Sequence, residues 1–275
     1  MDASWIDSHI HLFEHGYRRD RPAGAELTDY QQLRTTHGIS HALVVGYEGD
    51  PALAGNNSHL VRLAAQHDWI LPVRHLHPHR GLAPAAELAE TRWAGVSAYL
   101  VDDEATEAWD RWTDREWAAL PDGSLVSVNA TTDRLPTVGA AAARIGLPIL
   151  VSHLATPPAP GPHSTVAEAL APLASLARLD NVHVKLSGHW AMVAAGWTEP
   201  QLQESTRRVL EAFGVDRVHW GSDFSPCLAH HDFATATHPP GIEDLSPAEL
   251  ADLRGGSLAR LLHLPPPSSS DRTPT

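Results

Sequence analysis

The chain has 275 residues, and 20 Lys+Arg against 33 Asp+Glu give a formal net charge of −13. That length can bury a sizeable core without disulfides or a structural metal, and a balance this acidic argues against a nucleic-acid surface. A single cysteine, Cys227, excludes an internal disulfide and any cysteine-rich zinc module, so a reducing cytoplasm is the expected compartment.

In chain order, the first strand is expected over 4–13, "SWIDSHIHLF". No basic stretch followed by an apolar run marks a secretory signal there, and no apolar run approaches the ~18 residues of a membrane span. Strand alternation places Ile6, Ser8, Ile10 and Leu12 on a helix-facing side and Asp7, His9 and His11 on the opposite, interior side. Further strands are expected at 41–47, 70–76, 95–101, 124–130, 148–155, 181–189 and 217–224. The third carries Arg74, whose facing is blurred by Pro72; the fourth carries Ser97 and Tyr99, and the fifth Ser127 and Asn129, inward. His153 stands at the C-terminal end of the sixth. In the seventh, Val182, Val184 and Leu186 face out while His183, Lys185, Ser187 and His189 face in. In the eighth, Val218 and Trp220 oppose His219, Gly221 and Asp223.

Helical segments fall between most strands, at 56–67, 133–145, 163–178 and 199–213. The last of these has Thr198 as N-cap, Pro200 in its first turn and Gly214 as stop. A final helix over 246–263 opens at Ser246-Pro247, and from Pro265 a Pro/Ser-rich tail is expected to be disordered. The domain is therefore taken as 1–264 and the tail as 265–275. Eight βα units predict a single-domain α/β (β/α)8 TIM barrel. An open doubly wound sheet is the alternative, disfavoured because no glycine-rich phosphate loop follows the first strand.

Polar inward residues recur at the C-terminal ends of separate strands, where TIM barrels place their active sites. Two histidines at i and i+2 on a strand point the same way, so His9 and His11 can share one cation, with His153 supplying a third nitrogen and Asp223 an oxygen. Such a set suits Zn²⁺ or a similar divalent ion with an open position for water, whose pKa the ion brings toward ~7. Asp223 is positioned to take the proton from water and pass it to a leaving group. Lys185, which is the only lysine, and Tyr99 are candidates to bind a substrate carboxylate or stabilise an oxyanion. Ser187, His189, Asn129 and Arg74 are further substrate-binding candidates, and Trp190 is the tryptophan expected to wall a pocket. The histidines of the 76–81 loop, with His75, are expected to be mainly loop residues, and His219 to belong to the core.

The stretches "IDSHIHLF", "PILVSHLA", "NVHVKLSGHW" and "RVHWGSDFSP" resemble four landmarks of the amidohydrolase superfamily, in its amidohydrolase-related (amidohydrolase 2) branch. Their order and spacing span residues 4 to 264, and the subgroup they resemble most is that of the sugar-lactone and pyrone-dicarboxylate lactonases. The resemblance implies a distorted barrel, with His9, His11, His153 and Asp223 at catalytic positions, and hydrolysis of a lactone or another cyclic ester or amide. It also implies two routes, one with a single divalent ion and one in which the aspartate acts without any metal. Three features depart from the relatives: Ser97 and Tyr99 stand on strand four where an arginine is common, Ser225 precedes Pro226, and strand four offers no lysine for a carbamylated binuclear site.

The first functional expectation is thus a cytoplasmic hydrolase of a small lactone-like molecule, with a carboxylate as one group it could recognise. The second is a non-oxidative decarboxylase of an aromatic or unsaturated acid on the same fold, with His189 as an added ligand. The third is a non-hydrolytic cyclase or binder reusing the scaffold, against which the full His9/His11/His153/Asp223 set argues. No oligomeric state follows from these residues.

Overall fold

The computed structural model describes residues 5–77 and 92–264. Eight parallel strands run in sequence order around the molecule: β1 (Trp5–Ile10), β2 (Ile39–Val45), β3 (Ile70–His75), β4 (Gly95–Leu100), β5 (Leu125–Ala130), β6 (Ile149–Val151), β7 (Val182–Leu186) and β8 (Val218–Trp220). Each pairs with the next in parallel register. The ring closes where the Asp223 amide donates to the His9 carbonyl at 2.9 Å, and Ile10 bridges Phe224. The expected (β/α)8 barrel is therefore what the chain forms, as one domain.

Between the strands lie α1 (Ala25–His37), α2 (Asn56–Ala64), α3 (Asp103–Asp110), α4 (Leu135–Ala142), α5 (Val166–Ala174), α6 (His189–Ala194) and α7 (Glu199–Phe213), and α8 (Ser257–Leu261) follows the last strand. The α7 boundaries follow its local chemistry: Thr198 and Gln201 form a capping box, proline sits in the first turn, and Gly214 ends it. Ser246 and Glu249 cap the closing helical segment in the same way, but that segment is interrupted at Asp252–Gly256 before α8 rather than running unbroken. Helix α1 was not among the expected segments, because its thirteen residues are mostly polar and only Tyr30 and Glu26 are buried. The expected tail 265–275, residues 78–91 (which include the end of the expected 76–81 loop) and Ser4 of the expected first strand lie outside the described residues.

Two apolar layers result. The larger packs outward strand residues such as Ile10, Val44, Val96, Val128, Val151, Val184 and Trp220 against helix residues such as Tyr30, Leu60, Trp109, Leu170 and Val209. The smaller fills the barrel floor with Ile6, Leu43, Val45, Val73, Leu125 and Leu150, plugged by Leu258 of α8. Burying aliphatic side chains at about 25 cal/mol per Å² drives both. These layers test the alternation directly. Val182, Val184 and Leu186 face out as expected, and so do Val218 and Trp220.

Strand β1 departs from its expected facing. Ile6 belongs to the barrel floor rather than to the helix layer, and Asp7 turns outward to the Tyr30 hydroxyl of α1. The register of β1 against β2 shifts between Asp7 and Ile10. A bulge of this kind adds one residue on one strand and inverts the facing beyond it. His9 and His11 consequently do face the interior, but Asp7 does not join them.

Candidate active site

Strand ends and irregular turns, rather than strand interiors, deliver most of the polar groups at the barrel mouth. Asp7 organises the junction of β1 and β8: its carboxylate accepts from the His9 amide at 3.1 Å, the Ser222 amide at 2.9 Å and the Tyr30 hydroxyl at 3.0 Å. Gly221 lets these segments approach, since a Cβ there would stand 2.8 Å from Ser8 Oγ and 3.0 Å from His9 Cβ. Asp223 then adopts a left-handed backbone with φ of 59°. For a non-glycine residue that conformation costs free energy and marks a position fixed by its surroundings.

His153 reaches the site by a comparable route. Strand β6 ends at Val151, and His153, Leu154, Ala155 and Thr156 all have positive φ. Simple alternation would have put His153 on the outer face with Ile149 and Val151; the left-handed run swings it inward. Its ring lies against Gly188, where a Cβ would come within 2.4 Å of Nδ1, and Ser187 Oγ lies 3.0 Å from the same nitrogen. Gly188, at φ of 67°, also ends the seventh strand early, so His189 begins α6 instead of closing a strand.

At the centre, His9 Nε2 and His11 Nε2 are 3.2 Å apart, His9 Nε2 is 3.8 Å from Asp223 Oδ1, and His153 Nε2 is 4.0 Å from that oxygen. The other Asp223 oxygen, Oδ2, accepts the Trp190 indole N–H at 2.6 Å. Below His9, its Nδ1 faces Lys185 Nζ at 3.2 Å and Ser152 Oγ at 3.3 Å, and Lys185 donates to Ser127 Oγ at 2.7 Å.

His9, His11 and Asp223 each offer a ligand atom, all within 4.8 Å of one another. His11 Nδ1 donates to the Val45 carbonyl at 2.7 Å, which leaves its Nε2 lone pair pointing into the site. The 3.2 Å between the two Nε2 atoms matches the roughly 3.3 Å edge of a tetrahedron with ~2.0–2.1 Å zinc–nitrogen arms. His9 must then carry its proton on Nδ1, which needs Ser152 Oγ or an uncharged Lys185 as acceptor. The donor set therefore fits one divalent ion.

Burial dominates the electrostatics. It raises the Asp223 carboxyl from 3.8 to about 6, partly countered by His11, the Trp190 hydrogen bond and Lys185. It lowers His11 and His153 to about 4, and His9 well below the ordinary histidine value, with Lys185 adding to the depression of His9 and His153. Lys185 itself is lowered from 10.5 to about 7 by burial, against the attraction of Asp7 and Asp223. The site is thus a set of neutral imidazoles around one carboxylate that ionises near neutrality, the state suited to a base or a ligand.

Among the residues expected from sequence, His9, His11 and Asp223 form this centre, His153 borders it, and Lys185, Ser187 and Trp190 each contact one of the four. His189 Nε2 is buried without a partner, and burial lowers its pKa to about 4 with His153 nearby. Tyr99 lies on the inner face with its hydroxyl buried and unpartnered. Asn129 is half-buried beside Tyr99 in the β4–β5 register, two residues beyond Ser127. Arg74 lies between Val73 and His75, which face the interior, so alternation turns it to the other side, away from this group. Trp190 stacks on His230 with ring centroids 4.2 Å apart, and so walls the mouth. His77 pairs with Glu48 at 2.9 Å. Three contributors escaped the sequence reading: Ser152, Asp7 as a backbone anchor, and His75. The inward Leu150 and Val73, by alternation, are the signals that would have found Ser152 and His75.

Among the described residues, no helix is long and apolar enough to cross a membrane. Solved structures share the fold. A zinc-bound amidohydrolase from Burkholderia multivorans superposes with a TM-score of 0.73 at 23% identity, covering 96% of this chain and 100% of that one. A candidate 2-pyrone-4,6-dicarboxylic acid hydrolase from Pseudomonas putida gives 0.74 at 22% identity, covering 96% and 98%. A 2,6-dihydroxybenzoate decarboxylase from Rhizobium gives 0.59 at 11% identity, covering 95% and 99%. No curated protein matches the chain significantly by sequence. The Amidohydro_2 family model, described as amidohydrolase, matches residues 6–264, and the chain belongs to that family.

Proposed function

We propose that this protein is a hydrolase that opens a lactone or related cyclic ester or amide, with Asp223 as the base that activates water. The observation that supports it is the division of labour on the Asp223 carboxylate: Trp190 holds Oδ2, while Oδ1 is turned toward His9 and His153. A carboxyl raised to about 6 is ionised at neutral pH, yet basic enough to accept a proton from water. As water attacks the acyl carbon, its proton passes to Asp223, and the same proton then goes to the ring oxygen as the carbon–oxygen bond breaks. His153, with Ser187 on its Nδ1, presents Nε2 toward the reacting group, and when the Ser187 hydroxyl donates its hydrogen bond to Nδ1 the ring carries its proton on Nε2 and donates from there to the developing oxyanion. Lys185 lies behind His9 and sets its tautomer rather than touching the substrate, a different role from the carboxylate contact expected from sequence.

His9, His11 and Asp223 would hold a divalent ion, zinc being the first candidate, which when bound supplies Lewis acidity toward a water or carbonyl oxygen. The substrate is a small molecule, and the buried free Cys227 agrees with a reducing cytoplasm as the working compartment.

The unpartnered His189 Nε2 beside His153 favours a second reading, non-oxidative decarboxylation, in which that nitrogen joins the centre. One experiment separates the two. Purified protein is offered lactones and aromatic acids while acid release and carbon dioxide are both monitored. Acid release from a lactone, abolished in Asp223→Asn, supports the hydrolase; carbon dioxide from an aromatic acid with no lactone opening overturns it.

A further inference from the structure

A cavity of about 260 Å³ opens between the segment that follows β1 and the first turn of α2. It lies one ring away from the reacting centre. Phe13 forms part of its wall and stacks on His11, with ring centroids 5.7 Å apart and planes at 15°. Asn56 ties the two walls together by donating to the Leu12 carbonyl at 2.8 Å. On a chain of net charge −13, this cavity gathers basic side chains. Arg19, Arg62, His15 and His59 line it against a single carboxylate, Glu14, which Arg62 approaches at 3.7 Å. The Arg19 guanidinium has no partner among the described residues.

Two observations of different kinds point to an anion. The first is His59, which is only 8% exposed, lines the cavity, and makes no side-chain hydrogen bond among the described residues. An imidazole carries at least one N–H in any state, and a buried donor without an acceptor is costly, so this ring favours a ligand that accepts. The second is the start of α2. Its N-cap, Gly55, has no side-chain acceptor to offer, and Asn57 donates instead to Glu48 at 2.8 Å. The amides of Asn56 and Ser58 donate to nothing among the described residues, and both residues line the cavity. Free amides at the positive end of a nine-residue helix attract anions.

The number and spread of these donors select the anion. Helix amides, the Ser58 hydroxyl and the His59 ring come from α2, and Arg19 comes from the opposite wall. A carboxylate presents two oxygens in one plane, whereas a phosphate presents three or more around a tetrahedron and carries more charge. We propose that Arg19, His59 and the N-terminus of α2 form a binding site for a phosphate group, separate from the centre made by His9, His11 and Asp223. The phosphate is either carried on an arm of the substrate that passes Phe13 or is a free ion, and the same donors meet it in both cases. The site stands independently of the reaction assigned to Asp223.

Chelator-stripped protein is titrated with inorganic phosphate by calorimetry, at fixed ionic strength so that general screening is held constant. Wild type is expected to bind about one equivalent, and Kd should weaken about tenfold or more in Arg19→Gln and in His59→Leu. His59→Gln should recover part of what His59→Leu loses, because its amide can donate in place of the ring. Asp223→Asn should bind as wild type does, since that change touches only the reacting centre. Arg19 is exposed, so Arg19→Gln carries the test alone if His59→Leu does not fold. No saturable binding to wild type, binding unchanged in either variant, or binding lost only in Asp223→Asn overturns the site. Acetate should bind about tenfold more weakly than phosphate, and equal binding of acetate overturns the choice of anion. Methyl phosphate separates the two sources. Tighter binding than inorganic phosphate assigns the site to an esterified group on a substrate, and equal or weaker binding assigns it to the free ion.

Discussion

The Trp190 indole N–H donates to Asp223 Oδ2 across 2.6 Å, so a residue at the start of α6 orients a carboxylate that follows β8. The bond helps hold down a pKa that burial raises, because it stabilises the charged form. Trp190→Phe keeps the ring that stacks on His230 and removes only the donor. Turnover should fall about tenfold to a hundredfold, and the acid limb of the kcat/KM profile should move to higher pH. A tryptophan that merely fills space would leave that limb where it is.

Asp223→Asn should reduce kcat by about 10²–10⁴ while leaving the fold intact. The amide can still accept from Trp190, and it replaces a buried carboxylate whose charge is disfavoured by its surroundings. Thermal melting at pH 7.5 or so should therefore show no loss of stability relative to wild type. Turnover within a factor of about three of wild type would remove Asp223 from the role of base.

How much of this was legible in the sequence depends on backbone regularity. Strands β5, β7 and β8 follow strict alternation over the residues that form them, so Ser127, Lys185 and His219 were placed correctly by counting. Counting failed at β1, where the bulge sent Asp7 to Tyr30, and the polar pattern gave no sign of the extra residue. His153 arrived at the site against alternation, through four consecutive residues of positive φ that no glycine announces. The motif, not the periodicity, carried that placement. His75 was grouped with the loop histidines that follow it, although Val73 facing the floor fixes its side on β3. Each miss is a place where tertiary contacts overrode a local rule.

Removing either imidazole of the central pair should abolish ion binding. Wild-type protein stripped with chelator and titrated with zinc is expected to take up about one equivalent and to melt higher as zinc is added. His11→Ala should do neither, since it removes the one nitrogen whose tautomer the Val45 carbonyl already fixes for a metal. Direct metal analysis and melting curves read both effects. Stripped enzyme with full turnover would instead assign His9 and His11 to the substrate.

Acid should destabilise the fold, and the floor of the barrel shows why. His183 Nδ1 lies 3.0 Å from His219 Nε2, and His219 Nδ1 lies 3.0 Å from Ser257 Oγ. Burial lowers His183 from 6.5 to about 4 and His219 further still. Between about 4 and 6.5 the unfolded chain therefore binds protons that the folded chain refuses. Stability rises with pH across that window and is lost as pH falls, by up to about 1.4 kcal/mol per pH unit for each such histidine. His11, His75, His153 and His189, each lowered to about 4, act in the same direction. Asp7 and Asp223 oppose them: raised from 3.8 to about 6, they take up protons in the folded state first and so favour it as pH falls. The histidines outnumber these carboxyls, so the melting temperature should drop steadily from pH 7 to 4.5. The double variant His183→Asn/His219→Asn should show a shallower fall than wild type, because two of the refusing groups are gone. A wild-type melting temperature that is flat or rising across that range, or an identical slope in the double variant, would show that these buried rings accept protons in place.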